Sequence, residues 1–588
     1  MLRTFVFNLK YIYGGIFVMQ KNKTRLAVII SATVLMLSAC KTSETGTVQT
    51  GSQSTSRIMT QNAEKQDVIT EIVVTDDYDD VQNTEETYEE EIEDVGEVEE
   101  YIGEESDDMF TYDVYTKHIE IKKLIGSVGR ELTIPDEYNG LPITAIERDA
   151  IIKCEYLSTV NIGKEIETIG NGAFSNNKLL LKVNVEDLSS IKRIENEAFS
   201  GCEYLSEFPI LPSLEYIGGS AFSNTGLTSF TISSSVKEVG YRAFSKSTKL
   251  NTIEIEDGVE KIEDSAFEYT ALTTVSIPDT LIEMGSGVFE NCTKLKNAKI
   301  GSNIVELPDY SFSGCSSLED VQLPDGMLSI GRHAFANGDY NFPKEQYSNR
   351  IHSIQIPQTV MKIDQGAFRG CFALTEIDIP ESVLIIGSSA FSECPSLEKV
   401  SLHEGIEEIG GSAFNKCTNL SKVNIPETVQ KISDEAFGEC TALKEIVIPG
   451  NVVEIGKDAF SRCSSLKQVE LNYGIMKIES DAFAYCNDLS EITIPGSIVE
   501  IGAAAFFGCD TLTKVNLKNG IIKIDRLAFA LCKNLTEFIM PDSVSELGEI
   551  VFGKNKWGDN SSPNVKVKYK NRIFTYEQMD ELYSLING

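Results

Sequence analysis

Thirteen cysteines are the residues of this chain whose type and spacing could support chemistry. Twelve of them lie three residues after a recurring phenylalanine or its equivalent, and the last eight, from Cys371 to Cys532, are 23 residues apart. Thiols in such a row could pair as disulfides or bind a metal. The same position holds Asn, Thr or Ser in other units, which favours a small, buried slot filled by free thiols.

The other reactive side chains show no arrangement typical of an active site. The four histidines are isolated, and no nucleophile elbow, phosphate-binding loop or His-Glu-x-x-His motif is present in the sequence. A net charge of −37 argues against nucleic-acid binding, which requires a basic face. We therefore predict a protein that is not an enzyme, with no metal, no cofactor and no nucleic-acid partner.

The element that must position these side chains is an internal repeat. Seventeen phenylalanines recur from Phe174 to Phe552, and every step from Phe368 onward is 23 residues. In Leu420-Ser-Lys-Val423-Asn-Ile425-Pro426 the alternation directs Val423 and Ile425 inward in a short strand, and Pro426 ends the pairing. Units of this length cannot bury their own apolar face, so they must stack as a solenoid.

The repeated pattern resembles a known family. Ile386-Gly387, Ala390-Phe391, Cys394, Leu397, Val400 and Leu402 are similar to the motif of the BspA-type leucine-rich repeat found in bacterial surface proteins. The resemblance covers about residues 110 to 552. It implies a leucine-rich repeat solenoid of the α/β type, with parallel strands on a concave face, about 18 units of about 23 residues and a cap at each end.

The N-terminal region has the pattern of a segment for secretion and membrane anchoring. Basic residues precede an apolar run, and Leu37-Ser38-Ala39-Cys40 resembles the lipobox of bacterial lipoproteins, which implies lipidation of Cys40. An ordinary cleaved signal is the alternative. Residues 1–40 are thus predicted to be a signal peptide, and translation starting at Met19 would shorten it.

The remaining boundaries follow from composition. Residues 41–109 are predicted to be a disordered tether, because the stretch from Asp67 to Asp108 contains twenty acidic residues and no lysine or arginine. Residues 110–150 form a predicted N-terminal cap with a degenerate first unit, and residues 151–552 the repeats. Residues 553–588 are a predicted C-terminal cap with a short helix, where Thr575 to Gln578 resembles a capping box.

Because the inward positions are architectural, we expect a partner to contact outward strand positions or the segment that breaks the period. The gap from Phe335 to Phe368 is 33 residues, so it contains an insertion of ten residues with three aromatic and two basic side chains, types favoured at binding hot spots. The alternative is that these residues are only solvated or pack locally. The candidate partner-binding residues are Tyr340, Phe342, Lys344, Tyr347, Arg350, Lys399, Lys422, Asn424, Gln468, Lys514 and Asn516.

The sequence thus predicts an extracytoplasmic lipoprotein that binds a protein or another cell-surface macromolecule. The resemblance implies adhesion to host matrix proteins or to other cells. Two alternatives remain open at this point, a carbohydrate-binding surface module and a structural spacer of the cell envelope without a dedicated ligand.

Overall fold

A computed structural model describes residues 17–21, 24–28, 99–337, 349–553 and 562–588. The chain divides into two compact units, residues 1–92 and 93–588. In the first unit, Phe17–Lys21 pairs in antiparallel fashion with Thr24–Val28. No helix within the described residues is long and apolar enough to cross a membrane.

The second unit is a parallel-strand solenoid in which a turn typically contributes a front strand and a back strand. The front strand carries the alternating motif found in the sequence, and each strand pairs with its equivalent in a neighbouring turn. The front strands are Glu131–Thr133, Thr159–Ile162, Lys182–Val185, Ser229–Ile232, Thr252–Ile255, Thr274–Ser276, Asn297–Lys299, Asp320–Gln322, Glu376–Ile379, Lys399–Leu402, Lys422–Val423, Glu445–Ile448, Gln468–Leu471, Glu491–Ile494, Lys514–Leu517, Glu537–Ile539 and Lys566–Tyr569.

The back strands are mostly two residues long and stack in the same order. They are Leu141–Ile146, Thr168–Ile169, Arg193–Ile194, Tyr216–Ile217, Glu238–Val239, Lys261–Ile262, Glu283–Met284, Glu306–Leu307, Ser329–Ile330, Lys362–Ile363, Ile385–Ile386, Glu408–Ile409, Lys431–Ile432, Glu454–Ile455, Lys477–Ile478, Glu500–Ile501, Lys523–Ile524 and Glu546–Leu547. These eighteen strands match the expected number of units, and the predicted solenoid is confirmed.

The loop that contains the phenylalanine forms a third stacked side of each turn. Ser389 and Glu393, on either side of Phe391, have φ of 56° and 60°, which no continuous helix allows. The N–H groups of Ser389, Phe391 and Glu393 donate instead to carbonyls of the next turn, at 2.8 Å each. The structure thus adds a detail to the predicted α/β solenoid: the return part of each described turn consists of strand and turn residues and contains no α-helix.

The core is a column of stacked phenylalanine rings flanked by aliphatic side chains. Adjacent rings such as Phe391 and Phe414 lie 5.3 Å apart, with 4° between their planes. The predicted inward residues Val423 and Ile425 are buried, at 4% and 6% exposure. Burial of each large apolar side chain contributes about 1.5–3 kcal/mol, so the stack supplies the main stabilising free energy.

The cysteine slot has a specific hydrogen-bonding role. The Sγ–H of Cys417 donates to the carbonyl oxygen of Phe391 in the preceding turn, at 3.2 Å. Asparagine, serine and cysteine side chains make the equivalent bond in other turns, as in Asn177 to Ile151, Ser247 to Phe222, Asn349 to Phe335, Cys394 to Phe368 and Ser562 to Phe529. The slot therefore selects a small donor, and its twelve cysteines are free thiols.

One proline interrupts the back strands. In neighbouring turns the residue after the back strand donates its N–H across the stack, as Gly285 does to Ile262 and Gly331 to Leu307, both at 2.8 Å. Pro308 occupies this position and has no N–H to donate to Met284. The strands Glu283–Met284 and Glu306–Leu307 consequently do not pair, and a cavity of about 680 Å³ opens between them.

The folded part begins earlier than the sequence indicated. Tyr101–Ser106, Phe110–Tyr115 and Ile119–Leu124 form an antiparallel meander that joins the back strands at Leu141–Ile146, and Glu137–Tyr138 pairs with the latter. The tether predicted over residues 41–109 therefore extends too far. Pairing of its last residues with Phe110–Tyr115 satisfies their backbone groups despite their acidic composition.

The C-terminal segment contacts both strands of the last turn. Arg572–Thr575 pairs with the final front strand Lys566–Tyr569, and a 3₁₀ turn, Tyr576–Gln578, leads into the predicted helix, Met579–Asn587. The Thr575 N–H donates to Gln578 Oε1 at 3.1 Å, as a capping box requires. Asn587 then donates to the Leu547 carbonyl at 2.7 Å and accepts its N–H at 2.9 Å. Its amide thus pairs with the last back strand.

The slot hydrogen bond can be tested with an isosteric pair. We expect Cys417→Thr to be tolerated, because a threonine hydroxyl at this position donates to the phenylalanine carbonyl of its own turn, as Thr225 does to Phe222 and Thr270 to Phe267. Cys417→Val has nearly the same shape and no donor, so it should be less stable than Cys417→Thr by about 1–2 kcal/mol. Urea denaturation followed by circular dichroism measures the difference, and equal midpoints would show that the bond contributes nothing.

Thiol reactivity provides a second test of the same packing. Burial raises the pKa of Cys417, Cys463 and Cys509 to about 12, so these thiols stay neutral and unreactive at pH 7. Cys154 is only partly buried. Among the repeat cysteines, we expect iodoacetamide to modify Cys154 first and the others only after denaturation, as read by peptide mass spectrometry. Rapid native labelling of Cys417 would contradict the packing.

Candidate functional site

A groove on the front side is the candidate binding site. Ser353 and Gln355 carry the usual alternation but form no front strand, so the front strands on either side, Asp320–Gln322 and Glu376–Ile379, do not continue into one another. A cavity of about 640 Å³ lies at this gap. It is open to solvent along the outward side chains, so an extended chain or a polar group of a partner can enter it.

The groove has a polar rim and an apolar floor. Its floor contains Val321, Ile354 and Ile377. Its rim is lined by carboxylate, amide, hydroxyl and ammonium groups from Asp320, Gln322, Ser353, Gln355, Glu376, Asp378, Lys399 and Ser401. A mixture of donors and acceptors over an apolar floor is typical of sites that bind peptide or carbohydrate, and it lacks the closed shape of a small-molecule pocket.

Charged contacts are concentrated at one edge of the groove. His403 Nε2 lies 2.7 Å from Asp378 Oδ1, and both side chains are about half exposed or more. Lys399 lies beside Glu376 on one side and Lys422 on the other in the strand register. The edge near Lys399 therefore presents two neighbouring cations in a chain that is strongly acidic overall.

The insertion predicted from the sequence ends a few residues before the groove segment at Ser353. Asn349 occupies the slot of the interrupted turn, where its Nδ2 donates to the Phe335 carbonyl at 2.8 Å. In the sequence, the added residues therefore stand between the phenylalanine loop and the segment at Ser353 that lines the groove. Tyr340, Phe342, Lys344 and Tyr347 lie outside the described residues, as does Cys40.

Arg350 is the described residue that follows the insertion. Its N–H donates to the Leu318 carbonyl at 2.7 Å, which returns the chain to the stack. Its guanidinium lies 3.7 Å from Glu319 and its side chain is 63% exposed. An exposed ion pair of this kind contributes little to stability, so Arg350 remains available to a partner.

The other predicted residues are all on the front side but do not form one cluster. Lys399 and Lys422 are neighbours, and Asn424 is exposed two residues further on. Lys514 and Asn516 share a strand five turns from Lys399, about 24 Å along the stack. Gln468 lies between the two groups and is exposed. Lys422 and Lys514 each pair with a glutamate of the next turn, at 3.1 and 3.5 Å.

Sequence reasoning missed most of the groove. Gln322, Gln355 and Asp378 occupy outward positions that look like those of any other unit, and Ser353-Ile354-Gln355-Ile356-Pro357 has the pattern of a regular strand. No signal in the sequence marks the missing pairing. The described residues also contain no group of three His, Cys, Asp or Glu side chains placed to hold a metal.

Comparison with solved structures finds leucine-rich repeat proteins of low identity. A leucine rich cell surface protein from Faecalibacterium prausnitzii A2-165 is 27% identical, over 63% of this chain and 96% of that one, with a TM-score of 0.40. A leucine-rich repeat protein from Bacteroides ovatus is 22% identical, over 79% and 98%, with a TM-score of 0.45. The pneumococcal vaccine antigen PcpA is 16% identical, over 71% and 97%, with a TM-score of 0.38.

Family assignment rests on the sequence model. No curated protein matches the chain. The model described as BspA type leucine rich repeat region (6 copies) matches residues 130–251, 238–344, 338–467 and 430–558. These ranges cover most of the chain and every front strand described above except the last, Lys566–Tyr569. The chain therefore belongs to the BspA-type leucine-rich repeat family.

Proposed function

We propose that this protein is a lipid-anchored, extracytoplasmic binding protein without catalytic activity that presents the front side of its solenoid to a protein on another cell or in the host matrix. The observation that carries the proposal is the groove beside Ser353. It is a place where the front strands part, it has a mixed polar rim, and the segment that lines it follows, in the sequence, an insertion rich in aromatic and basic residues.

Three further features support this role. Outward residues vary from turn to turn while inward residues repeat, as expected when only the surface is selected for binding. The F. prausnitzii protein with a similar repeat is described as a cell surface protein. The acidic stretch before the fold would hold the solenoid away from the membrane, since a self-repelling chain stays extended.

A carbohydrate is the second candidate ligand. The rim of the groove offers carboxylates and amides such as Asp378, Gln322 and Gln355, which are the groups that pair with sugar hydroxyls. The exposed aromatic content of the groove itself is low, and this favours a protein partner. A spacer role would leave the groove without any ligand.

Partner binding is tested with residues 41–588 as bait against matrix and bacterial surface proteins, alongside a glycan array. Deletion of Tyr340 to Ser348 and, separately, Lys399→Glu should each reduce capture at least tenfold without changing the melting temperature. Lys514→Glu is the matched control, because it starts an equivalent front strand far from the groove. It should retain capture.

The outcomes separate the candidate functions. Loss with Lys514→Glu alone would move the site away from the groove, and capture by all variants would place it elsewhere on the molecule. A glycan-array signal that is lost on deletion of Tyr340 to Ser348 would establish carbohydrate binding. Consistent failure of the unmodified protein in both assays would support the spacer.

Membrane anchoring is tested at Cys40. We expect the unmodified protein to incorporate labelled palmitate in a bacterial host and to partition into the detergent phase. Cys40→Ala should abolish labelling and transfer the protein to the aqueous phase, since the acyl chains supply the membrane affinity. Release of the unmodified protein into the medium, without lipid, would show that residues 1–40 are an ordinary cleaved signal.

A further inference from the structure

A stripe of exposed apolar side chains runs along the back of the C-terminal turns. The residue just before the back strand faces solvent, and in four successive turns it is apolar. We call Val453, Met476, Val499 and Ile522 the C-terminal stripe; they are 54%, 50%, 40% and 42% exposed. The N–H groups of Met476, Val499 and Ile522 each donate to the carbonyl of the preceding member at 2.8–2.9 Å, so the four residues lie in adjacent turns.

A row of alternating charges lies directly beside this stripe. The charged row consists of Lys431, Glu454, Lys477, Glu500, Lys523 and Glu546, which are the first residues of six successive back strands. Their strand register places each one opposite the next. Neighbours of opposite sign interact along the row, as Lys523 does with Glu500 at 2.9 Å. The row spans about 24 Å.

The charged row is complementary to itself: if its order is reversed and every charge is inverted, the same order of charges results. The stripe is apolar along its whole length, so it also matches itself when reversed. The stripe is flanked by polar residues, Gln430 on one side and Ser545 on the other. If a second copy is turned by a two-fold axis between Lys477 and Glu500, its stripe meets the stripe of the first copy. Lys477 then faces Glu500 of the second copy, and the remaining charges pair as Glu454 with Lys523 and Lys431 with Glu546.

This self-complementarity is what an interface between two identical chains requires. In a two-fold dimer the same patch of both copies forms the interface, so each residue of the patch must be complementary to the residue that faces it from the second copy. A parallel, in-register arrangement would place each charge against itself and is excluded by repulsion. Contiguous exposed apolar patches on a soluble fold also indicate a contact surface, whereas isolated ones do not.

We propose that the C-terminal stripe and the charged row form an antiparallel, two-fold interface between two copies of this chain. The interface goes beyond the proposed binding function and lies on the opposite strand of the turn from the groove. Its short length places it below the standard interface of about 800 Å² per partner, so the dimer forms reversibly and its population depends on protein concentration.

Charge inversion tests the pairing directly. The test uses the full chain with Cys40→Ser, which removes the proposed lipid, in sedimentation velocity up to about 300 µM. An acidic variant carries Lys477→Glu and Lys523→Glu, and a basic variant carries Glu454→Lys and Glu500→Lys. We expect the parent chain to dimerise, each variant alone to remain monomeric, and an equimolar mixture to dimerise again with at least tenfold tighter association than either variant.

Apolar variants control for nonspecific attraction and for misfolding. Met476→Ser with Val499→Ser removes the centre of the stripe at exposed positions, so folding should persist while association is lost, including in the charge-inverted mixture. Ile282→Ser with Val305→Ser changes the same repeat position in other turns and should leave dimerisation intact. A parent chain that is monomeric throughout, a mixture that does not associate, or loss of the dimer in the Ile282 and Val305 variant would overturn the proposal.

Discussion

The hydrogen bond between one turn and the next is the constraint on which the rest of this structure depends. Each turn presents N–H and C=O groups on three sides, the front strand, the back strand and the phenylalanine loop, and most of them bond to the equivalent groups of a neighbouring turn. An unpaired buried backbone group costs about 1–3 kcal/mol. The first requirement on each residue is therefore that it allows the next turn to form these hydrogen bonds.

The same constraint explains the interior. Phenylalanine rings about 5.3 Å apart can stack only if every turn has the ring at the same place, with a small residue such as Ala413 before Phe414. The phenylalanine carbonyl needs a further donor at the base of the loop, and a cysteine, serine or asparagine supplies it. A chemically reactive residue type thus serves packing and hydrogen bonding, and its burial suppresses its reactivity.

Features that differ between turns arise where a turn does not hydrogen-bond to its neighbour in the usual way, or at side chains that take no part in the stacking of turns. Pro308 removes one donor and separates two back strands. The segment at Ser353 leaves the front strands apart and creates the groove. Outward side chains do not take part in the stacking of turns, so they can vary. They form both of the surfaces to which we assign partners. One of these surfaces lies along the groove and the other along the C-terminal stripe.

The sequence by itself determined the solenoid, the number of turns and the inward residues, because equivalent positions in stacked turns contact one another and so must repeat. It also located the terminal helix and the insertion between Phe335 and Phe368. Only the tertiary structure decided that Asn349 replaces the slot residue, that Ser353 and Gln355 are unpaired, and that the acidic residues after Tyr101 are folded. The charged row is visible only once the strand register is known. These features depend on contacts between residues about 23 positions apart. Whether such a pair forms a hydrogen bond depends on both residues and on their relative position, which the identity of one residue does not reveal.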